Sequence, residues 1–223
     1  MWTKRRIAQT IDHSALKPFL VDDDIVTACE LGKKYQVAGV CVRPSDVSLA
    51  KKILEGSGVD PLAVVGFPHG SNRTEVKALE AKLAIEDGAV ELDMVMNVGK
   101  FLTGEYDFVQ KDIEAVVNEA RHHNVFVKVI LETCYLSSEQ IAKACKISKV
   151  AGADYVKTST GFGDGPATPK AVDMMIKTVG DTMGVKAAGG IKTYETAVGY
   201  LNQGCKRLGA TATEAIVEEA PEE

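Results

Sequence analysis

A single (β/α)8 barrel is the fold this chain predicts, on three observations. Short runs of small and β-branched residues alternate with amphipathic stretches eight times over. The 223 residues suit eight such units, which typically occupy ~250. No Gly-rich phosphate turn follows an early strand, as the alternative doubly wound sheet would require.

In chain order, Gln9–Ser14 reads as the first strand, and Asp22, Asp23 and Asp24 open a helix to Gln36 with acids at its positive end. Ala38–Val42 is the second strand, stopped by Arg43-Pro44, and Ser45-Asp46 caps a helix to Glu55. Pro61–Gly66 is the third strand. Ser71-Asn72 begins a helix whose Val76, Leu79 and Leu83 share one face, expected to meet the core. Val90–Val95 follows as strand four. A helix then keeps Tyr106, Val109, Ile113, Val116, Val117 and Ala120 in helical period, closed by Asn124. Val125–Leu131 is strand five, and Ser137-Ser138-Glu139 opens a helix ending before Gly152. Ala153–Lys157 is strand six, with a helix after Pro169. A strand centred on Lys186, a helix over Thr193–Asn202 and a strand at Arg207–Gly209 complete the count. One domain over 1–223 is expected, with only Glu218–Glu223 fraying.

Composition narrows the function classes. Hydrophobic residues make up 45% and charged residues 26%, an ordinary globular balance. The net charge of -5, with no long run of one sign, offers neither a nucleic-acid footprint nor a polybasic membrane face. No apolar run approaches the ~20 residues of a membrane span, and Met1–Arg6 leads into no signal-peptide core, so a cytoplasmic protein is expected. Cys29, Cys41, Cys134, Cys145 and Cys205 show no zinc spacing and are expected as free thiols, with no metal and no cofactor.

Period-two alternation sorts the strand faces. Val40, Val42, Val90, Leu92 and Met94 point to the helices, whereas Gly39, Cys41, Glu91, Asp93, Tyr155, Lys157 and Lys186 point into the barrel. Lys128 would join them if Lys128, Ile130 and Glu132 are the inward residues of strand five, which the sequence leaves open. A lone lysine at a strand end usually snorkels to water. Two on neighbouring strands, with acids on the same interior, form a network that a barrel core tolerates only if paired. An exposed lysine is neutral in about one molecule in 2500 at pH 7. Burial and a neighbouring ammonium raise that fraction, so charged Lys186 favours neutral, nucleophilic Lys157. Asp93 would hold Lys186 or relay protons. The implied chemistry is a Schiff base whose electron sink allows a C–C bond to break: an aldol cleavage without metal. Gly161, Gly189-Gly190 and Gly209 follow strands six, seven and eight, where barrels bind phosphate through backbone N–H groups. A phosphorylated substrate follows.

The chain also resembles a known family end to end. Ile11-Asp12-His13-Ser14-Ala15-Leu16, Gly39-Val40-Cys41-Val42, Glu91–Asn97 and Val127–Thr133 are similar to stretches of the deoxyribose-phosphate aldolases, which are class I aldolases. Tyr155–Phe162 and Val185–Ile191 are the most specific matches. The resemblance implies reversible cleavage of 2-deoxy-D-ribose 5-phosphate to acetaldehyde and D-glyceraldehyde 3-phosphate, in deoxynucleoside breakdown. It implies Lys157 as the Schiff-base lysine, Lys186 and Asp93 as its partners, and a dimer or larger homo-oligomer. Asp12, Ser14, Cys41, Thr160 and Thr211 would join the glycines at the substrate. The chain departs from the family near its end, where Gly209-Ala210-Thr211-Ala212 replaces a loop with two serines, so one phosphate hydroxyl is missing at Ala212. Two other readings stay open from the residues: a sugar-phosphate isomerase or epimerase with Asp93 as base, and a non-catalytic sugar-phosphate sensor.

Overall fold

The computed structural model describes residues 1–222. Eight parallel strands close into a barrel in sequence order: β1 (Ile11–Ala15), β2 (Gly39–Val42), β3 (Asp60–Val65), β4 (Glu91–Val95), β5 (Phe126–Ile130), β6 (Tyr155–Lys157), β7 (Gly184–Ala188) and β8 (Arg207–Ala210), with β8 returning to β1. Outside lie α1 (Lys4–Ala8), α2 (Asp22–Tyr35), α3 (Val47–Leu54), α4 (Thr74–Glu86), α5 (Val98–Leu102), α6 (Tyr106–Arg121), α7 (Ser138–Val150), α8 (Pro169–Val179), α9 (Tyr194–Gln203) and α10 (Thr213–Glu218). The helix starts follow capping chemistry. Asp24 accepts the Val21 N–H at 2.9 Å, and Ser137 and Gln140 cap α7 reciprocally. Pro169 opens α8 where its missing N–H costs nothing.

Alternation along the strands gives two cores. Val40, Val42, Leu92, Met94, Val127 and Val129 meet Val109, Ile113 and Val116 of α6 and the other helices in the outer layer. The opposite strand faces enclose a small apolar cluster, Leu16, Cys41, Leu62 and Val64, with Phe67 packed against it. Much of the rest of the interior is charged, with Asp12, Glu91, Asp93, Lys128, Lys157 and Lys186 buried there. No helix among the described residues is long and apolar enough to cross a membrane.

Three expectations differ from the structure. The first strand begins at Ile11 rather than Gln9, because Gln9 and Thr10 donate their N–H groups to Arg5 and Ile7 and finish α1, whose cationic sequence gave no helical signal. The chain's last described residues, expected to fray, fold back onto α1: Lys4 N–H donates to the Pro221 carbonyl at 3.0 Å, and Ala220 is buried. Glu223 lies outside the described residues.

The third difference concerns α4, which starts at Thr74 rather than Ser71. Its Val76, Leu79 and Leu83 face solvent, at 48%, 55% and 50% exposure. The inward face carries Lys77, Ala81 and Ala84 instead. Lys77 Nζ donates to Asp112 Oδ2 of α6 at 2.6 Å and to the Val95 carbonyl at 2.9 Å, with both charged side chains fully buried. The helix also packs close to β3, since a Cβ on Gly66 would stand 2.9 Å from Lys77 Cε. A buried ammonium is far costlier to leave unpaired than a leucine is to expose, so the ion pair decides the helix's rotation and the apolar stripe turns outward.

Candidate active site

Lys157 is the last residue of β6, and its Nζ donates to Asp93 Oδ2 at 2.7 Å. Lys186 Nζ donates to the same oxygen at 2.6 Å and to Asp12 Oδ2 at 2.5 Å. Lys128, whose parity the sequence left open, points inward: it donates to Asp93 Oδ1 at 3.1 Å and bonds Glu91. Arg207 closes the set, reaching Asp12 Oδ1 at 2.6 Å and Glu91 Oε2 at 2.9 Å. Among the described residues the barrel interior therefore holds three carboxylates, Asp12, Glu91 and Asp93, against four cationic side chains, Lys128, Lys157, Lys186 and Arg207.

This imbalance sorts the amines. Burial pushes the Lys157 amine down, and charged Lys186 adds to that push, while one carboxylate, Asp93, opposes it; the balance lies below an ordinary lysine. Lys186 is buried as deeply, but Asp12 and Asp93 outweigh its desolvation and hold it above the ordinary value. Lys128 is likewise raised, by Asp93 and Asp12 against its burial. Asp93 overcomes its own burial through Lys128, Lys157 and Lys186 and lies well below the usual carboxylate range. The environment thus separates one amine prone to lose its proton from two that keep theirs.

Above Lys157 opens a cavity of about 570 Å³ lined by Ser14, Lys157, Thr160, Gly161, Gly189, Gly190, Gly209 and Thr211 of the expected site. Gly190 sits at φ +78°, and a Cβ there would meet Pro166 Cβ at 2.9 Å, so the chain turns at this wall only with glycine. At Gly209 a side chain would press on Lys186 Cε at 3.3 Å. Asp12, Asp93 and Lys186 are fully buried and lie beneath the cavity rather than on its wall. Cys41 also lies off the wall, in the apolar cluster with Leu16 and Leu62, where burial pushes its thiol up to about 11. Ala212 stands outside the lining, just ahead of α10, with Thr211 in its place at the wall.

On and around the cavity stand further residues to which the sequence assigned no role. Lys17 and Lys192 bring positive charge to the wall, and Lys17 Nζ stands 4.5 Å from the centroid of the Phe162 ring. Glu132, just past β5, is buried in left-handed backbone (φ 54°, ψ 63°) and accepts the Thr160 N–H at 3.1 Å and the Thr160 hydroxyl. Arg207 was open to detection, because period two from inward Gly209 places it inward as well. Glu132 shares the parity of Lys128 and Ile130, but its bond to Thr160 depends on a loop 28 residues away.

Comparison with known proteins identifies the family. The model of the DeoC/LacD family of aldolases matches residues 6–211. The chain is 50% identical over 216 residues to the deoxyribose-phosphate aldolase of Thermococcus gammatolerans, covering 96% of each chain. It is 50% identical over 214 residues to that of Caldanaerobacter subterraneus, covering 96% of this chain and 93% of the relative. Among solved structures, the tetrameric deoxyribose phosphate aldolase from Aeropyrum pernix superposes with a TM-score of 0.91 at 29% identity, over 98% of this chain and 92% of that one. With buried lysines on neighbouring strands under a glycine-walled cavity, and a family match over nearly its whole length, the chain belongs to the DeoC/LacD family of aldolases.

Proposed function

We propose that this protein cleaves 2-deoxy-D-ribose 5-phosphate reversibly to acetaldehyde and D-glyceraldehyde 3-phosphate through a Schiff base on Lys157. The observation that carries the reading is the shared carboxylate: Lys157 and Lys186 both bond Asp93 Oδ2, yet only Lys157 reaches the cavity. Neutral Lys157 attacks the substrate aldehyde carbon, and loss of water leaves a protonated imine. The C2–C3 electron pair then moves into the imine as the C3 hydroxyl loses its proton, giving an enamine and the departing aldehyde. Protonation of the enamine and addition of water free the acetaldehyde and return the amine. Asp93 works from beneath, bonding both amines so that Lys186 stays charged beside the reacting Lys157.

Thr160, Ser14 and the walls at Gly161, Gly189-Gly190, Gly209 and Thr211 suit the phosphosugar, with Lys17 and Lys192 supplying charge toward the phosphate. Asp12 acts beneath, by holding Lys186, and Cys41 by packing. An isomerase would need a base open to the cavity. Asp93 is fully buried and strongly ionised, which favours the imine. Borohydride reduction in the presence of substrate and chelator should place the adduct on Lys157 by mass spectrometry; an adduct on Lys186 or Lys128 overturns the assignment.

Two wider proposals accompany this one. The protein works in the cytoplasm, a reading supported by its five free thiols. It also self-associates through the outward stripe of α4, where Val76, Leu79 and Leu83 line two helical turns. Arg73 and Glu75 flank one end and Lys82 and Glu86 the other, so antiparallel pairing about Leu79 brings each copy's acids toward the other's bases. The tetramer of the Aeropyrum pernix relative supports a second copy as the occupant.

A further inference from the structure

We infer that Arg207 and Glu91, at the end of the barrel away from the cavity, are positioning residues whose charges decide that Lys157 is the interior side chain carrying no proton. The inference rests on Lys157 as the imine-forming lysine. Arg207 is the first residue of β8 and Glu91 the first of β4, and neither lines the cavity. A single hydrogen-bonded chain nevertheless joins them to Lys157. Glu91 bonds Arg207 at 2.9 Å; Arg207 Nε donates to Asp12 at 2.8 Å; Asp12 accepts from Lys186 at 2.5 Å; Lys186 and Lys157 share Asp93. Lys128 bridges Glu91 and Asp93 across the middle and stands 3.7 Å from Asp12.

The arithmetic of the interior does the rest. Three carboxylates balance three cations, and an unmatched fourth would lie in a dry core at a cost of several kcal/mol. Arg207 cannot yield its proton. Lys128 lies within 4 Å of three carboxylates and Lys186 of two, but Lys157 meets only Asp93, and on an oxygen Lys186 already uses. Lys157 is therefore the group that gives way. Without Arg207, three acids would face three lysines and every amine would stay protonated. Without the Glu91 charge, two acids would face four bases and Lys157 would be neutral to lower pH.

Other groups around the network do not restore the count: the buried Glu132 carboxylate bonds Thr160 on the loop after β6 and none of the four cations. The Cys41 thiol is pushed up to about 11 and is uncharged near neutrality. His13 on β1 is held down to about 4 by burial and bonds Thr213 Oγ1, away from the interior. Asp60 at the start of β3 is exposed, so solvent screens it. The Tyr155 phenol sits beside Arg207.

The test is the acid limb of kcat/KM against pH, with borohydride trapping of the imine on the same pH series. Arg207→Met should move the limb up by about one pH unit, as removal of a buried charge linked to Lys157 through Asp12, Lys186 and Asp93 predicts. Glu91→Gln should move it down, and the double variant Arg207→Met/Glu91→Gln should bring it back to the parent position. Arg207→Lys, which keeps the charge, should leave it in place. If Arg207→Met does not fold, the Glu91→Gln and double variants still decide the matter. An unmoved limb in Glu91→Gln, or a double variant displaced as far as either single one, overturns the proposal while leaving Lys157 as the nucleophile. A parent enzyme with no adduct on Lys157 overturns both.

Discussion

Glu132 pays a conformational cost that its neighbours make sense of. A non-glycine residue in left-handed backbone costs of the order of 1 kcal/mol and persists where its surroundings demand it. Here its carboxylate holds both the N–H and the hydroxyl of Thr160, and the Thr160 oxygen accepts the Phe162 N–H at 3.0 Å. One acid therefore shapes the loop that brings Thr160, Gly161 and Phe162 to the cavity wall. Replacing Glu132 with Ala removes charge-assisted bonds of about 1.5 to 3 kcal/mol, so KM for deoxyribose 5-phosphate should rise by about tenfold or more. Unphosphorylated deoxyribose, which has no phosphate to place against that wall, should change little. Steady-state kinetics on both substrates separates the two outcomes, and an equal loss on both would make Glu132 a structural residue only.

At the scale of the element, α4 shows what pattern reading can and cannot recover. Helix existence was legible, as was the alternation that placed Asp93, Lys157 and Lys186 on one interior, because both depend on spacing along the chain. The rotation of α4 was not, since it is decided by Asp112, which lies 35 residues further on in α6. The role of Glu132 escaped for the same reason: its partner Thr160 is in another loop. Lys17 and Lys192 carry no periodic signal because they sit in loops after strands, where only the closed barrel brings them together. The buried pair itself gives a direct expectation. Lys77→Met leaves the Asp112 carboxylate buried without its cation and should destabilise the fold by ~3 to 5 kcal/mol in urea unfolding. Lys77→Met with Asp112→Leu should recover most of that loss; a double variant as unstable as the single one would mean that the bond to the Val95 carbonyl, rather than the charge pair, anchors the helix.

For the whole molecule, the outward stripe of α4 predicts the assembly. Leu79→Glu places a charge at its centre and should yield monomers by sedimentation velocity, with kcat per subunit kept because α4 contributes nothing to the cavity. A variant that sediments like the parent would locate the interface elsewhere. The charged interior has a different reach. An apolar barrel core can be altered one methyl at a time, each exchange graded by volume, but a core whose function depends on an odd charge changes state at every single-charge substitution. A descendant of this sequence that replaces Arg207 by a neutral residue must also lose a carboxylate to keep a reactive amine, so the viable neighbours in sequence space are reached by paired steps. Arg207 and an acid on the far side of the barrel are then expected to vary together, although their Cα atoms belong to strands that never touch.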